Sequence, residues 1–159
     1  MSERQFSVSL PLDTDGFLRR ECPTCEREFK WLSSEEADAE AEEFREGGYY
    51  CPYCAIQAPV DAWWTPAQLE LVNGVVSKEI VEPELRKFER SLRNVSRNSG
   101  GLISASMKMD LPPEADPLVE TDDMRRVDFA CHSSEPLKVQ DDWVRPVHCL
   151  ICGTTASVD

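Results

Sequence analysis

The sequence predicts an α+β protein in which two small β-hairpin units flank a central helical segment. Three observations carry this reading. Six of the seven cysteines fall into C-x-x-C pairs, the segments around them align as an internal repeat, and apolar residues recur at spacings of three and four between Leu69 and Val95. The chain has 159 residues, with 17 Lys plus Arg against 30 Asp plus Glu, so its net charge is 17 − 30 = −13. That length suits one domain or two small ones. A mean hydropathy of −0.43, with no apolar run near the roughly 18 residues that a membrane helix needs, excludes such a helix. The first ten residues lack a charged-then-apolar signal pattern, so a cytoplasmic location with reduced thiols is expected.

The pairs are Cys22 with Cys25 in C-P-T-C, Cys51 with Cys54 in C-P-Y-C, and Cys149 with Cys152 in C-L-I-C, and Cys131 stands alone beside His132. A C-x-x-C turn converges two thiolates on one ion while backbone N–H groups point at the sulfurs, and two such turns complete a tetrahedral shell. Cys22, Cys25, Cys51 and Cys54 therefore form a full ligand set. Phe17 to Cys22 answers Arg125 to Cys131, and Tyr49 to Cys54 answers Val147 to Cys152. In the second copy the position three after Cys131 is Ser134, so one thiolate is missing. His132 is the candidate fourth ligand beside Cys131, Cys149 and Cys152. His148 is the alternative, although it precedes Cys149 on an expected strand whose neighbouring side chains face opposite ways. A second copy without metal is the competing reading.

These residues resemble the zinc-ribbon, or rubredoxin-knuckle, class of small metal-binding domains, over about residues 17–60 and more weakly over 125–156. Pro23 and Pro52 match the prolines common in that class, whereas Glu26 and Ala55 stand where it usually has glycine, and Gly153 keeps it. The resemblance implies structural Zn2+, one ion or two, clamped by knuckles at hairpin tips. The same four thiolates also accept iron, and a rubredoxin-like iron electron carrier is a competing reading.

Two other readings compete. C-P-Y-C alone is the tetrapeptide of glutaredoxin-like thiol redox enzymes, which place it before a helix that lowers the thiol pKa. Here Pro59 comes too soon after Cys54 for such a helix. A disulfide-stapled fold would leave one of seven cysteines unpaired.

The segment from Ser33 to Glu46 is rich in alanine and glutamate, opens with capping residues and stops at Gly47-Gly48, which predicts an acidic helix inserted in the first hairpin unit. Thr65-Pro66 should start another. Leu69, Val72, Val76 and Ile80, then Leu85, Phe88, Leu92 and Val95, predict two helices or one kinked at Pro83. Alternation from Ile103 to Met109 predicts a strand, and residues 111–124 read as a Pro-rich acidic linker. The expected divisions are thus 1–62, 63–110, 111–124 and 125–159.

Arg86, Arg90, Arg93 and Arg97 form one stripe, the basic feature of note in the sequence, and pairing with Glu82 and Glu89 is the expected use. Metal loading adds −2 for a four-Cys site and −1 for a three-Cys, one-His site, taking −13 to −16. Charge of that sign opposes a nucleic-acid backbone, which keeps nucleic-acid binding the second choice. Closed thiolate shells, without a Ser, His and Asp arrangement or a phosphate loop, point away from an enzyme and from a small-molecule substrate. An adaptor or accessory subunit with a protein partner is the expected role.

Overall fold

The computed structural model describes residues 8–33, 47–100, 102 and 114–158. The expected helix over 33–46 and the strand over 103–109 lie outside those residues apart from Ser33. The protein is α+β, with small antiparallel sheets and a long helical stretch. It forms two compact units, one of Leu10–Pro66 with Leu118–Asp159, the other containing Ala67–Pro117.

In the first unit, strands β1 (Phe17–Glu21) and β2 (Glu28–Leu32) form one hairpin, and β5 (Met124–Val127) and β6 (Leu137–Gln140) form another. They join through β2 and β6 into one four-stranded antiparallel sheet, ordered β1-β2-β6-β5, with Lys30 opposite Lys138 and Trp31 opposite Leu137. Each copy adds a two-stranded hairpin, β3 (Tyr49–Tyr50) with β4 (Gln57–Ala58) and β7 (Val147–His148) with β8 (Thr155–Ala156).

The small hairpins are tied by reciprocal bonds. The Tyr50 N–H donates to the Leu150 carbonyl at 2.8 Å, and the His148 N–H donates to the Pro52 carbonyl at 2.9 Å. Tyr50 and His148 precede equivalent cysteines, and Pro52 and Leu150 follow them, so the two bonds obey an approximate twofold relation between the copies. Gly153 sits against this seam at φ 74°, and a Cβ there would meet the Tyr50 ring at 3.1 Å.

One core fills the unit. Phe29, Trp63, Leu137, Val139 and Val147 are fully buried, and Phe29 meets Trp31, Tyr53 and Trp63 edge to face at 5.7–6.4 Å. Aromatic side chains contribute most to so small a core because each buries a large area. Tyr53 also bridges the central strands: its hydroxyl donates to the Glu28 carbonyl at 2.7 Å and accepts from the Gln140 N–H at 3.0 Å. Of the adjacent tryptophans, Trp63 is buried and Trp64 half-buried, with the Arg20 guanidinium 5.0 Å from the Trp64 ring and 4.4 Å from Trp31.

The sheet also buries charge. The Lys30 and Lys138 ammonium groups lie 3.3 and 2.8 Å from the Asp13 carboxylate, with the Lys30 and Asp13 side chains fully buried. Lys30 further reaches Glu120 at 3.0 Å and Asp123 at 3.3 Å, and Lys138 reaches Asp15 at 2.6 Å. Residues 114–123 have no secondary structure, and Glu120–Asp123 meets Arg19, Thr14 and Lys30. Burial opposes ionisation of Asp13, but hydrogen bonds from Lys138, the Phe17 and Asp15 N–H groups and Lys30 outweigh it and hold its pKa at about 2.

Helix α1 (Pro66–Val76) begins at the expected proline, continues from Ala67 in the second unit, and passes through a π turn (Ser77–Val81) into α2 (Glu82–Asn98). Proline at 83 has no N–H for the Glu79 carbonyl, and its ring crowds that group, which the wider turn accommodates. The Glu82 N–H donates instead to Ser77, five residues back. Across this turn Ile80 is half-buried and Val81 is exposed. In α2, Arg86 pairs with Glu82, and Arg93 pairs with Glu89 at 2.7 Å. Among the described residues, no helix is long and apolar enough to cross a membrane.

Candidate metal centres

Both ends of the cysteine pattern converge. Cys22, Cys25, Cys51 and Cys54 place their sulfurs within 4.8 Å of one another, and so do the ligand atoms of Cys131, His132, Cys149 and Cys152. Both clusters could hold a metal ion.

The knuckles that build them share one backbone design. Each C-x-x-C turn closes with a bond from the first cysteine's N–H to the carbonyl five residues on: Cys22 to Arg27 at 3.1 Å, Cys51 to Ile56 at 3.1 Å and Cys149 to Thr154 at 2.8 Å. A second bond returns from the fourth residue after each cysteine to its carbonyl, from Glu26, Ala55 and Gly153 at 2.9–3.0 Å. Those three residues have φ of 58°, 61° and 74°. Glu26 and Ala55 therefore adopt the left-handed conformation that glycine supplies without steric cost. The departure from glycine leaves the knuckle intact and strains two residues.

Inside the turns, backbone N–H groups point at sulfur. Thr24 and Cys25 donate to Cys22 Sγ at 3.3 and 3.4 Å, and Tyr53 and Cys54 to Cys51 Sγ at 3.4 and 3.5 Å. Across the first cluster, Cys22 Sγ lies 3.8 Å from Cys54 Sγ, and Cys25 Sγ 3.7 Å from Cys51 Sγ. A metal with bonds to sulfur of about 2.3 Å has tetrahedral edges of about 3.8 Å, whereas a disulfide needs about 2.05 Å. In the second cluster Cys131 and Cys152 are 3.5 Å apart, and Cys149 Sγ is 3.6 Å from His132 Nδ1, against a mixed sulfur–nitrogen edge of about 3.6 Å. The donor spacing fits a four-coordinate ion at both places.

His132 stands with Cys131, Cys149 and Cys152 in the second cluster, although it and Cys131 are sequence neighbours. His148 lies elsewhere, with Nδ1 3.2 Å from the Gly153 carbonyl. The clusters differ in exposure: Cys22 and Cys51 are buried in the first, whereas Cys131 and Cys152 of the second are exposed.

The thiols of each cluster differ in how readily they ionise. Burial pushes Cys25 up to about 11 and Cys149 up to about 12, and it raises Cys51 strongly. Cys22 moves the other way, because the Cys25 and Thr24 N–H groups outweigh its burial. Cys152 falls to about 6, where burial is outweighed by hydrogen bonding with the side chain and backbone of Thr154. A divalent cation would relieve the repulsion in each shell. After Cys54 the chain enters β4 rather than a helix, so C-P-Y-C lacks the helix N-terminus of a dithiol catalyst.

A third group, Asp13, Asp15 and Asp122, also brings its oxygens together. Its carboxylates are engaged by Lys30, Lys138 and Thr14, so ammonium groups occupy the place of an ion.

The fold assembles one basic feature invisible in the sequence. Arg27 follows the first knuckle, Arg125 lies on β5 and Arg145 precedes β7, and all three meet at Trp143. No local spacing relates positions 27, 125 and 145. Comparison of the chain with protein-family models, curated protein sequences and solved structures yielded no match in any of the three.

Proposed function

We propose that this is a structural zinc protein that acts as a protein-interaction adaptor or accessory subunit. The observation behind the reading is that protein side chains fill all four tetrahedral positions of each cluster at spacings of 3.5–3.8 Å. Cys22, Cys25, Cys51 and Cys54 would hold one Zn2+, and Cys131, His132, Cys149 and Cys152 the other. A shell so filled leaves no position for a substrate or an activated water, so the ion acts through folding. The two knuckle hairpins face each other across the reciprocal Tyr50 and His148 bonds, so metal in both would fix one surface built from both copies.

Native mass spectrometry of the protein expressed without added metal tests the metal assignment. Two zinc ions per chain are expected, and iron or metal-free protein would refute it. A partner protein should co-purify at fixed stoichiometry and be lost with the metal on chelation. Retention on nucleic acid at low salt, abolished by Arg90→Glu with Arg93→Glu, would favour the nucleic-acid reading instead.

A further inference from the structure

We propose that Arg27, Arg125 and Arg145, gathered around Trp143, form a docking site for a carboxylate-rich segment of a partner protein. The inference builds on the protein-binding reading above and specifies the partner's chemistry.

The cations of this unit divide into those paired with carboxylates and those that are not, the second set including Arg20, which is half-buried and stacks on Trp31 and Trp64 away from Trp143. Arg19, Lys30, Arg126 and Lys138 all pair with carboxylates at 2.6–3.3 Å. Among the described residues, Arg27, Arg125 and Arg145 pair with none, in a chain whose net charge is −13. The Arg27 and Arg145 guanidinium carbons lie 5.0 and 4.7 Å from the Trp143 ring centre, and Arg125 donates to the Trp143 carbonyl. Among the described residues, the Arg27 side chain otherwise hydrogen-bonds to Gln140, at 3.4 Å. Asp141 and Asp142, exposed in the turn just before Trp143, make no ion pair with these arginines.

The site is a surplus of donors. Besides the guanidiniums, the buried Arg125 Nε and Trp143 Nε1 have no acceptor among the described protein groups, as is also true of Arg20 Nε and Trp63 Nε1 elsewhere in the unit. Buried donors are ordinarily matched, and leaving one unmatched costs about 1–3 kcal/mol. A guanidinium stacked on an indole keeps its N–H edge free, and that edge fits a carboxylate with two parallel bonds. Arg27 and Arg145 are exposed, so their edges are open to a ligand, and the neighbouring Val144 is 84% exposed beside them.

Carboxylates of a peptide suit this place better than a nucleic-acid strand. Trp143 is only 8% exposed and offers no open ring face for a base. The repulsion from a −13 chain also grows with ligand charge, so a short acidic segment is penalised less than a backbone with one charge per about 1.7 Å.

The test uses the zinc-loaded full chain with fluorescein-labelled octaglutamate, and with labelled oligothymidylate as the competing class, read by fluorescence anisotropy. Octaglutamate should bind at low salt, weaken about tenfold on Arg145→Gln, and weaken about a hundredfold when Arg27→Gln is added. Arg90→Gln with Arg93→Gln on α2 should leave it unchanged. Zinc content and melting temperature, read on each variant, separate lost binding from lost fold, and Arg27→Lys with Arg145→Lys keeps the charge if the glutamines fail to fold. With that pair, binding that matches the parent would overturn the bidentate contact. Undiminished binding in folded glutamine variants, or no octaglutamate binding at all, overturns the proposal, as does preferential binding of oligothymidylate through the same arginines. If a zinc-dependent partner is retained while octaglutamate is not bound, the site is wrong and the adaptor reading stands. If the arginines bind octaglutamate and no zinc-dependent partner exists, the adaptor reading falls alone.

Discussion

Replacing Asp13 with asparagine should be one of the most damaging conservative changes outside the cysteines. The Asp13 carboxylate lies between two lysines, accepting from Lys138 at 2.8 Å and Lys30 at 3.3 Å, with its own side chain fully buried. It also accepts the Phe17 and Asp15 N–H groups at 2.9 and 3.0 Å. An asparagine can keep the backbone bonds through its oxygen, but its NH2 group then faces ammonium donors. Breaking a buried pair from one side costs about 3–5 kcal/mol. Lys30 retains Glu120 and Asp123, and Lys138 retains Asp15, which places the expected loss near the lower end, about 3 kcal/mol. The proton linkage agrees in size. A pKa lowered from 3.8 to about 2 corresponds to about 2 kcal/mol of native-state preference for the carboxylate. Because the folded value lies below the unfolded one, this contribution is complete above about pH 4 and fades as pH falls towards 2. Urea unfolding of parent and Asp13→Asn should therefore differ by about 3 kcal/mol at pH 7, with the gap closing in acid. Proton competition for the thiolates acts on both proteins and cancels in the difference. A gap below about 0.5 kcal/mol at pH 7, or one that widens in acid, would refute the reasoning.

Four further outcomes are expected. Cys51→Ser should abolish one metal equivalent and unfold the first hairpin pair, whereas Cys152→Ser, at the exposed centre, should lower metal content with a smaller fall in melting temperature; equal falls would count against the difference in burial. Ala55→Gly should raise stability by about 0.5–1 kcal/mol, since it relieves a φ of 61° at more than the entropy it adds to the unfolded chain. The opposite change at Gly48 should be severe, because a Cβ there would lie 1.9 Å from the Ala58 carbonyl oxygen; a folded Gly48→Ala with parent stability would contradict the close strand approach. Tyr53→Phe removes a donor and an acceptor shared by β2 and β6 and should cost about 1–3 kcal/mol in denaturant unfolding, with metal content unchanged.

The sequence by itself determined the local chemistry. Cys22-Pro-Thr-Cys25, Cys51-Pro-Tyr-Cys54 and Cys149-Leu-Ile-Cys152 specify their knuckles because a C-x-x-C turn is closed by bonds within six residues. The helix start at Pro66 and the arginine pairs of α2 were likewise legible, since capping and i,i+4 contacts are short-range. Only the tertiary structure decided how the copies combine. The pairing of β2 with β6 joins strands far apart in the chain, and no spacing announces that Lys30 and Lys138 will face each other over Asp13. Alternation with Phe29, Trp31, Leu137 and Val139 would place both lysines on the outer face, yet the N-terminal turn and residues 120–123 cover that face with carboxylates. The approach of His132 to Cys149 and Cys152, and the meeting of Arg27, Arg125 and Arg145 at Trp143, depend on the same long-range docking. Turn chemistry is written within a few residues, whereas the contacts that join the two copies exist only once the whole sheet has formed.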